Sequence, residues 1–221
     1  MRIVVIYTWE IPESEAAADF CQQSGRKHGY HIEKYPSVFY QDMDEIHEDL
    51  GLKRRHPKGA YPETRIANGT THYLLYLECI QDNEPICILE HDAEVVGRLP
   101  EPREGVIQVS SHCDRQLLKK SDWAQCMRGQ KMRKRDSGRD VVWSDEIGVV
   151  RHPLNGTNGT SGYIITPTAA EKMVAVVKAG GIAFADRIRT EYIGDNLWLQ
   201  KPQSVLAHHS QARSHRLIRS L

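Results

Sequence analysis

Among the 221 residues, the run Ile86-Cys87-Ile88-Leu89 constrains the fold most. Side chains alternate between the two faces of a strand, so four consecutive apolar residues bury both faces at once. Such a strand needs cover on each side, which an α/β architecture supplies with helices. The flanking sequence agrees. Over Thr71 to Ile80, Tyr73, Leu74, Leu77 and Ile80 share one helical face, and Asp82-Asn83-Glu84-Pro85 stops that helix before the strand begins. The strand then ends in Glu90-His91-Asp92, three polar residues where an α/β sheet presents its ligand-binding edge.

The same alternation of elements runs along the chain. Ile3 to Thr8 reads as a buried first strand, Ser14 to His28 as a helix closed by Gly29, Tyr30 to Tyr35 as a second strand and Met43 to Leu50 as a short helix. Gly51 to Arg65, polar and basic with Pro57, Gly59 and Pro62, predicts a long loop. Beyond the central block, Gly105 to Ser111 predicts a strand, followed by strands over Val141 to Trp143 and Ile147 to Val150. A Gly/Asn/Thr loop from Asn155 to Gly162 leads to a strand Tyr163 to Thr166 and a helix Thr168 to Lys178 closed by Gly180-Gly181. Short strands near Leu197 to Leu199 and Val205 to Ala207 complete the pattern. No internal repeat is visible. The length suits one domain over residues 1–221.

Charge and targeting narrow the function. Lys plus Arg equal Asp plus Glu at 29 each, which excludes a protein defined by a global excess of one charge. The exception is local: Arg115 to Arg139 holds nine basic residues against Asp122 and Asp136, a basic insertion within about 114–140, and a basic, His-rich tail occupies about 208–221. No apolar stretch approaches the ~20 residues of a membrane-spanning helix, and the apolar start is too short for a signal-peptide core. Cys21, Cys79, Cys87, Cys113 and Cys126 form no CxxC pair and suit a reducing compartment, so a cytoplasmic location is expected. The Asn-Gly-Thr triplets at Asn68, Asn155 and Asn158 then mark turns rather than glycosylation acceptors.

Chemistry concentrates at the end of the buried strand. With a period of two, Glu90 and Asp92 face one site and His91 points away. Paired carboxylates suit a hard divalent cation such as Mg2+ or Mn2+, whose shell substrate phosphates complete; solvation of a strand end is the competing reading. The Gly159-Thr160-Ser161-Gly162 loop offers amides and hydroxyls suited to a phosphate or sugar, or simply makes a turn. Cys87, inside the apolar strand, reads as core packing.

Three ordered blocks resemble glycosyltransferase family 25, the lipooligosaccharide-biosynthesis type. Gly69-Thr70-Thr71-His72 is similar to its Gly-x-x-Ser-His stretch, with Thr71 where Ser is usual. Asn83 to Ala93 resembles its core ending in E-D-D-A, with His91 in place of the middle acid. Gly159 to Met173 is similar to its third block, and Asp186 falls where a later family Asp lies. After the first strand the chain departs from the family, reading Tyr7-Thr8-Trp9-Glu10-Ile11-Pro12.

The resemblance implies a GT-A-like nucleotide-sugar transferase fold with a mixed central sheet flanked by helices. It implies metal-dependent transfer of a sugar from a nucleotide-sugar donor, a UDP-sugar first among them, to a glycan or other acceptor hydroxyl, with inversion. Glu90 and Asp92 would hold Mn2+ or Mg2+, and His208 and His209, which follow the last strand, read as a further metal or diphosphate contact, a mobile polar tail being the competing reading. Asp186, then Asp195, are the candidate bases, a helix cap before Arg187 being the other reading of Asp186. Thr71, His72, Gly159, Thr160, Ser161 and Tyr163 are the candidate substrate-binding residues, and a structural histidine is the competing reading of His72. The basic segment 115–139, which includes Trp123, is expected to close over an anionic donor or to bind nucleic acid. The alternatives are a nucleic-acid-modifying glycosyltransferase acting on a DNA base hydroxyl, a nucleic-acid-binding protein, and a catalytically inactive transferase-like binding protein.

Overall fold

The computed structural model describes residues 1–111, 148–151, 160–185, 188, 197–201 and 204–207. Its described elements are β1 (Arg2–Tyr7), α1 (Pro12–Arg26), β2 (Glu33–Pro36), α2 (Met43–Asp49), α3 (Glu63–Gln81), β3 (Ile86–Glu90), β4 (Ala93–Val95), β5 (Val106–Gln108), β6 (Ser110–Ser111), β7 (Gly148–Arg151), β8 (Gly162–Ile165), α4 (Pro167–Gly180), β9 (Leu197–Lys201) and β10 (Val205–Ala207). The strands form a mixed sheet in the order β2-β1-β3-β8-β5-β9-β7 and a small sheet β4-β10-β6. β1 runs parallel to β2 and β3, whereas β8 is antiparallel to both β3 and β5. The α/β class is the one expected from the strand-helix alternation, and the mixed sheet is the one the resemblance implies.

Strand alternation sorts the core into two layers. Val4, Ile6, Ile86, Ile88, Tyr163 and Ile165 pack with α3 and α4, while Ile3, Val5, Cys87, Leu89 and Ile164 pack with Ala18 and Cys21 of α1 and with Val95 and Val205 of the small sheet. The central strand, apolar on both faces, is therefore covered on both faces. Among the described residues no helix is long and apolar enough to cross a membrane.

Four expectations need correction. α3 begins at Glu63, two turns before Thr71 and inside the expected loop, because Ile66 and Ala67 continue the buried face toward the helix N-terminus. Asn68-Gly69-Thr70 consequently lies within a helix and marks no turn. The expected strand Gly105–Ser111 divides at Val109, with β5 in the large sheet and β6 in the small one. Ala93, read as the last residue of a motif, opens a strand, Ala93–Val95. The stop after α3 is as expected: Asn83 adopts a left-handed φ of 50°, which Asn tolerates better than most residues.

Candidate functional site

The site lies at the carboxyl end of β3. Ile86 and Ile88 face α3, so Glu90, two residues on, faces α3 as well. The Glu90 amide bonds to the Ser161 carbonyl (3.2 Å), extending the β3–β8 ladder to the segment that carries Thr160. The Thr160 hydroxyl donates a short hydrogen bond to Glu90 Oε1. On the other side, His72 Nε2 stands 3.8 Å from the same oxygen. Burial alone would raise the Glu90 carboxyl. The His72 imidazole, the Thr160 hydroxyl and nearby His91 outweigh it and hold the group well below the usual carboxylate range. Glu90 keeps 21% side-chain exposure, so an ionised carboxylate is available at the edge of the sheet.

Glu90 is the last residue of β3, and His91 and Asp92 form a turn before β4. Strand alternation therefore governs Glu90 but no longer governs Asp92. The Asp92 charge reaches Cys21 on the α1 face, and His91 acts on Glu90. His91 Nε2 is buried and makes no hydrogen bond among the described residues. β10 ends at Ala207, paired with Ala93, so its last described residue sits one position from Asp92. Among the described residues no group of three or more His, Cys, Asp or Glu forms a metal-sized cluster.

The Gly-Thr-Thr-His block has one structural task per residue. At Gly69, a Cβ would fall 1.9 Å from the Ala183 carbonyl oxygen, so α3 approaches residues 183–184 more closely than any side chain permits. Thr70 Oγ1 donates to the Ile66 carbonyl and lies 2.8 Å from His47 Nε2. Thr71 Oγ1 donates to the Ala67 carbonyl and accepts the Val38 amide, fastening the segment after β2. His72 Nδ1 lies 2.7 Å from the Tyr163 hydroxyl, which is 2.9 Å from that of Tyr76.

Thr71, His72 and Tyr163 are fully buried and Ser161 and Thr160 nearly so. The structure thus brings His72, Glu90, Thr160, Ser161 and Tyr163 together, with Asp92 one turn away. Thr71 lies apart from them and serves the β2 side. Asp186, Asp195, Gly159, His208 and the basic segment 115–139 lie outside the described residues. Tyr76 was missed from sequence, although its spacing of four from His72 on one helix was the signal available.

A family model described as glycosyltransferase family 25 (LPS biosynthesis protein) matches residues 63–188, more than half of the chain. No curated protein matches it. One similar solved structure is a glycosyltransferase involved in the glycosylation of the major capsid of PBCV-1, aligned over 98% of this chain and 97% of that one at 8% identity and a TM-score of 0.47. Another is mouse xyloside xylosyltransferase 1 in its apo form, over 87% of this chain and 80% of that one at 9% identity and a TM-score of 0.39. Both similarities are too low to bear on function. The family match covers α3, β3 with Glu90 and Asp92, β8 and α4, the elements that build the site, and by it this chain belongs to glycosyltransferase family 25.

Proposed function

We propose that this transferase moves a sugar from a nucleotide-sugar donor, first of all a UDP-sugar, to a glycan or other acceptor hydroxyl, with inversion and with a divalent ion bound beside the donor diphosphate. The observation that carries the reading is the ionised Glu90 carboxylate at the carboxyl end of the parallel β1–β3 pair, the edge where α/β sheets take their ligands. The donor set fits an ion shared with its substrate. Two carboxylates, with no cluster of three or more ligating side chains among the described residues, would leave positions for diphosphate oxygens and water, as Mg2+ commonly requires.

Asp92 and Glu90 would hold the ion, with one Glu90 oxygen already engaged by Thr160. His208 directly follows Ala207, whose pairing with Ala93 supports it as a further donor. When bound, Mn2+ or Mg2+ supplies Lewis-acid stabilisation of the charge developing on the leaving diphosphate. Gly159, Thr160 and Ser161 bind the donor, His72 and Tyr163 support the site from within the core, and Thr71 holds the segment after β2. Asp186, or else Asp195, takes the acceptor proton as its oxygen attacks the anomeric carbon and the bond to the diphosphate breaks.

Asp92→Asn tests the reading because it keeps the size and shape of this half-buried turn residue and removes its charge. UDP binding measured by calorimetry with and without Mn2+ should lose its metal-dependent increment in the variant while the thermal transition stays unchanged. Mn2+-dependent UDP affinity equal to wild type would overturn the ion assignment.

A further inference from the structure

The chain Tyr76–Tyr163–His72 ends at Glu90, and the transfer reaction assigns its members no chemical step. Its three side chains come from two elements: Tyr76 and His72 stand on α3, four residues apart, and Tyr163 is in β8. All three are fully buried. The His72 and Tyr163 rings stack with centroids 5.7 Å apart and planes 13° from parallel, while their polar atoms meet at 2.7 Å. A ring held both by stacking and by a hydrogen bond has a defined orientation.

We propose that Tyr163 and Tyr76 are positioning residues that fix the His72 ring with a protonated Nε2 directed at Glu90, and so hold the Glu90 carboxylate in the orientation its binding role requires. Directionality supports this. A phenol hydroxyl can donate to Nδ1 and at the same time accept from a second phenol, and in the proposed arrangement Tyr76 donates to Tyr163 and Tyr163 to His72. Nδ1 is then an acceptor and the ring hydrogen sits on Nε2, facing Glu90 Oε1 across 3.8 Å. The opposite tautomer would set the Nε2 lone pair against a carboxylate oxygen, which is repulsive. Thr160 bonds Glu90 from the β8 side, and His72 stands within ion-pair reach but beyond hydrogen-bond distance of the same oxygen on the α3 side, which leaves the remaining carboxylate oxygen for a ligand.

The inference rests on the proposed role of Glu90, and its test separates the two. Tyr163→Phe removes one oxygen and keeps the ring volume and the stack. In the metal-free protein, 15N spectra of the histidine side chains should show His72 as a single Nε2-protonated species in wild type and as a mixture of ring states in Tyr163→Phe. Binding of Mn2+ in the presence of UDP, followed by electron paramagnetic resonance of the free ion, should weaken about 10- to 100-fold in Tyr163→Phe and less than that in Tyr76→Phe, which is one link further away. An unaltered His72 spectrum in Tyr163→Phe overturns the positioning role, whatever the ion does. An altered spectrum with wild-type Mn2+ affinity also overturns it, since the ring would then be fixed without consequence for Glu90. If wild type binds no Mn2+ with UDP, the ion reading of the previous section fails, and the positioning role is decided by the His72 spectrum together with the Glu90 carboxyl 13C signal, which must move in Tyr163→Phe.

Discussion

Gly69→Ala should destabilise the protein even though alanine is the better helix former. An ideal Cβ at this position falls 1.9 Å from the Ala183 carbonyl oxygen, 3.0 Å from its carbonyl carbon and 3.1 Å from Phe184 Cα. A comfortable carbon–oxygen approach is about 3.3 Å, so α3 and the 183–184 segment must part by roughly 1.4 Å. All three obstacles are backbone atoms, and no rotamer change clears them. The segment is also tethered: Ile182 donates to the Lys53 carbonyl (2.7 Å) and accepts from the Arg55 amide (3.0 Å).

Overpacking of this kind costs about 3 kcal/mol at the upper end of its usual range. Alanine returns about 1 kcal/mol through helix propensity, leaving a net loss of about 2 kcal/mol. For a chain of this length that corresponds to a fall in Tm of about 4–8 °C by differential scanning calorimetry. Gly180→Ala is the matched control, since its Cβ meets nothing within 4 Å and it also ends a helix. It should leave Tm unchanged or raise it. A Gly69→Ala protein as stable as wild type would refute the close-approach explanation of this glycine, and with it the account of how α3 is seated against the chain leading to Asp186.

Burial raises the thiols of Cys79 and Cys87 to about 11 and about 12 and pushes Cys21 up as well, so at pH 8 their thiolate fractions are about 10⁻³ or less. Mass spectrometry after iodoacetamide treatment should find these three unlabelled in the native protein and labelled once it is unfolded. Burial, reinforced by Arg54 and opposed by Asp44 and Glu63, lowers the proton affinity of His47, so the unfolded chain binds the proton more readily than the folded one. Stability is therefore retained above about pH 6.5 and lost as pH falls below it, and His47→Gln should flatten the decline of Tm between about pH 6.5 and 5; an unchanged slope would remove His47 from the account.

The sequence by itself determined the architecture, because hydrophobic period and chain punctuation are local. Ile86 to Leu89 required a strand covered twice, and the structure covers it with α3 and α4 on one face and α1 on the other. Asn83 marked the end of α3 through its own backbone preference. The ordered blocks around His72, Glu90 and Tyr163 were legible as well, since motif order survives in the linear chain. What those residues do for one another was not legible. Thr71 and His72 are neighbours in sequence, yet one fastens the segment after β2 and the other faces Glu90, because successive helix residues diverge by about 100° and meet different partners. Gly69 looked like a turn signal next to Asn68, and only the approach of Ala183, more than a hundred positions away, explains it as a contact glycine. Glu90 and Asp92 looked equivalent under a period of two, but the chain leaves β3 at Glu90, and where a strand ends is decided by its pairing with β8 rather than by its own residues. Tertiary packing also holds the Glu90 carboxyl below the usual carboxylate range in a site where burial alone would have raised it, because a hydroxyl from the β8 side and an imidazole from α3 converge on it only in the folded chain.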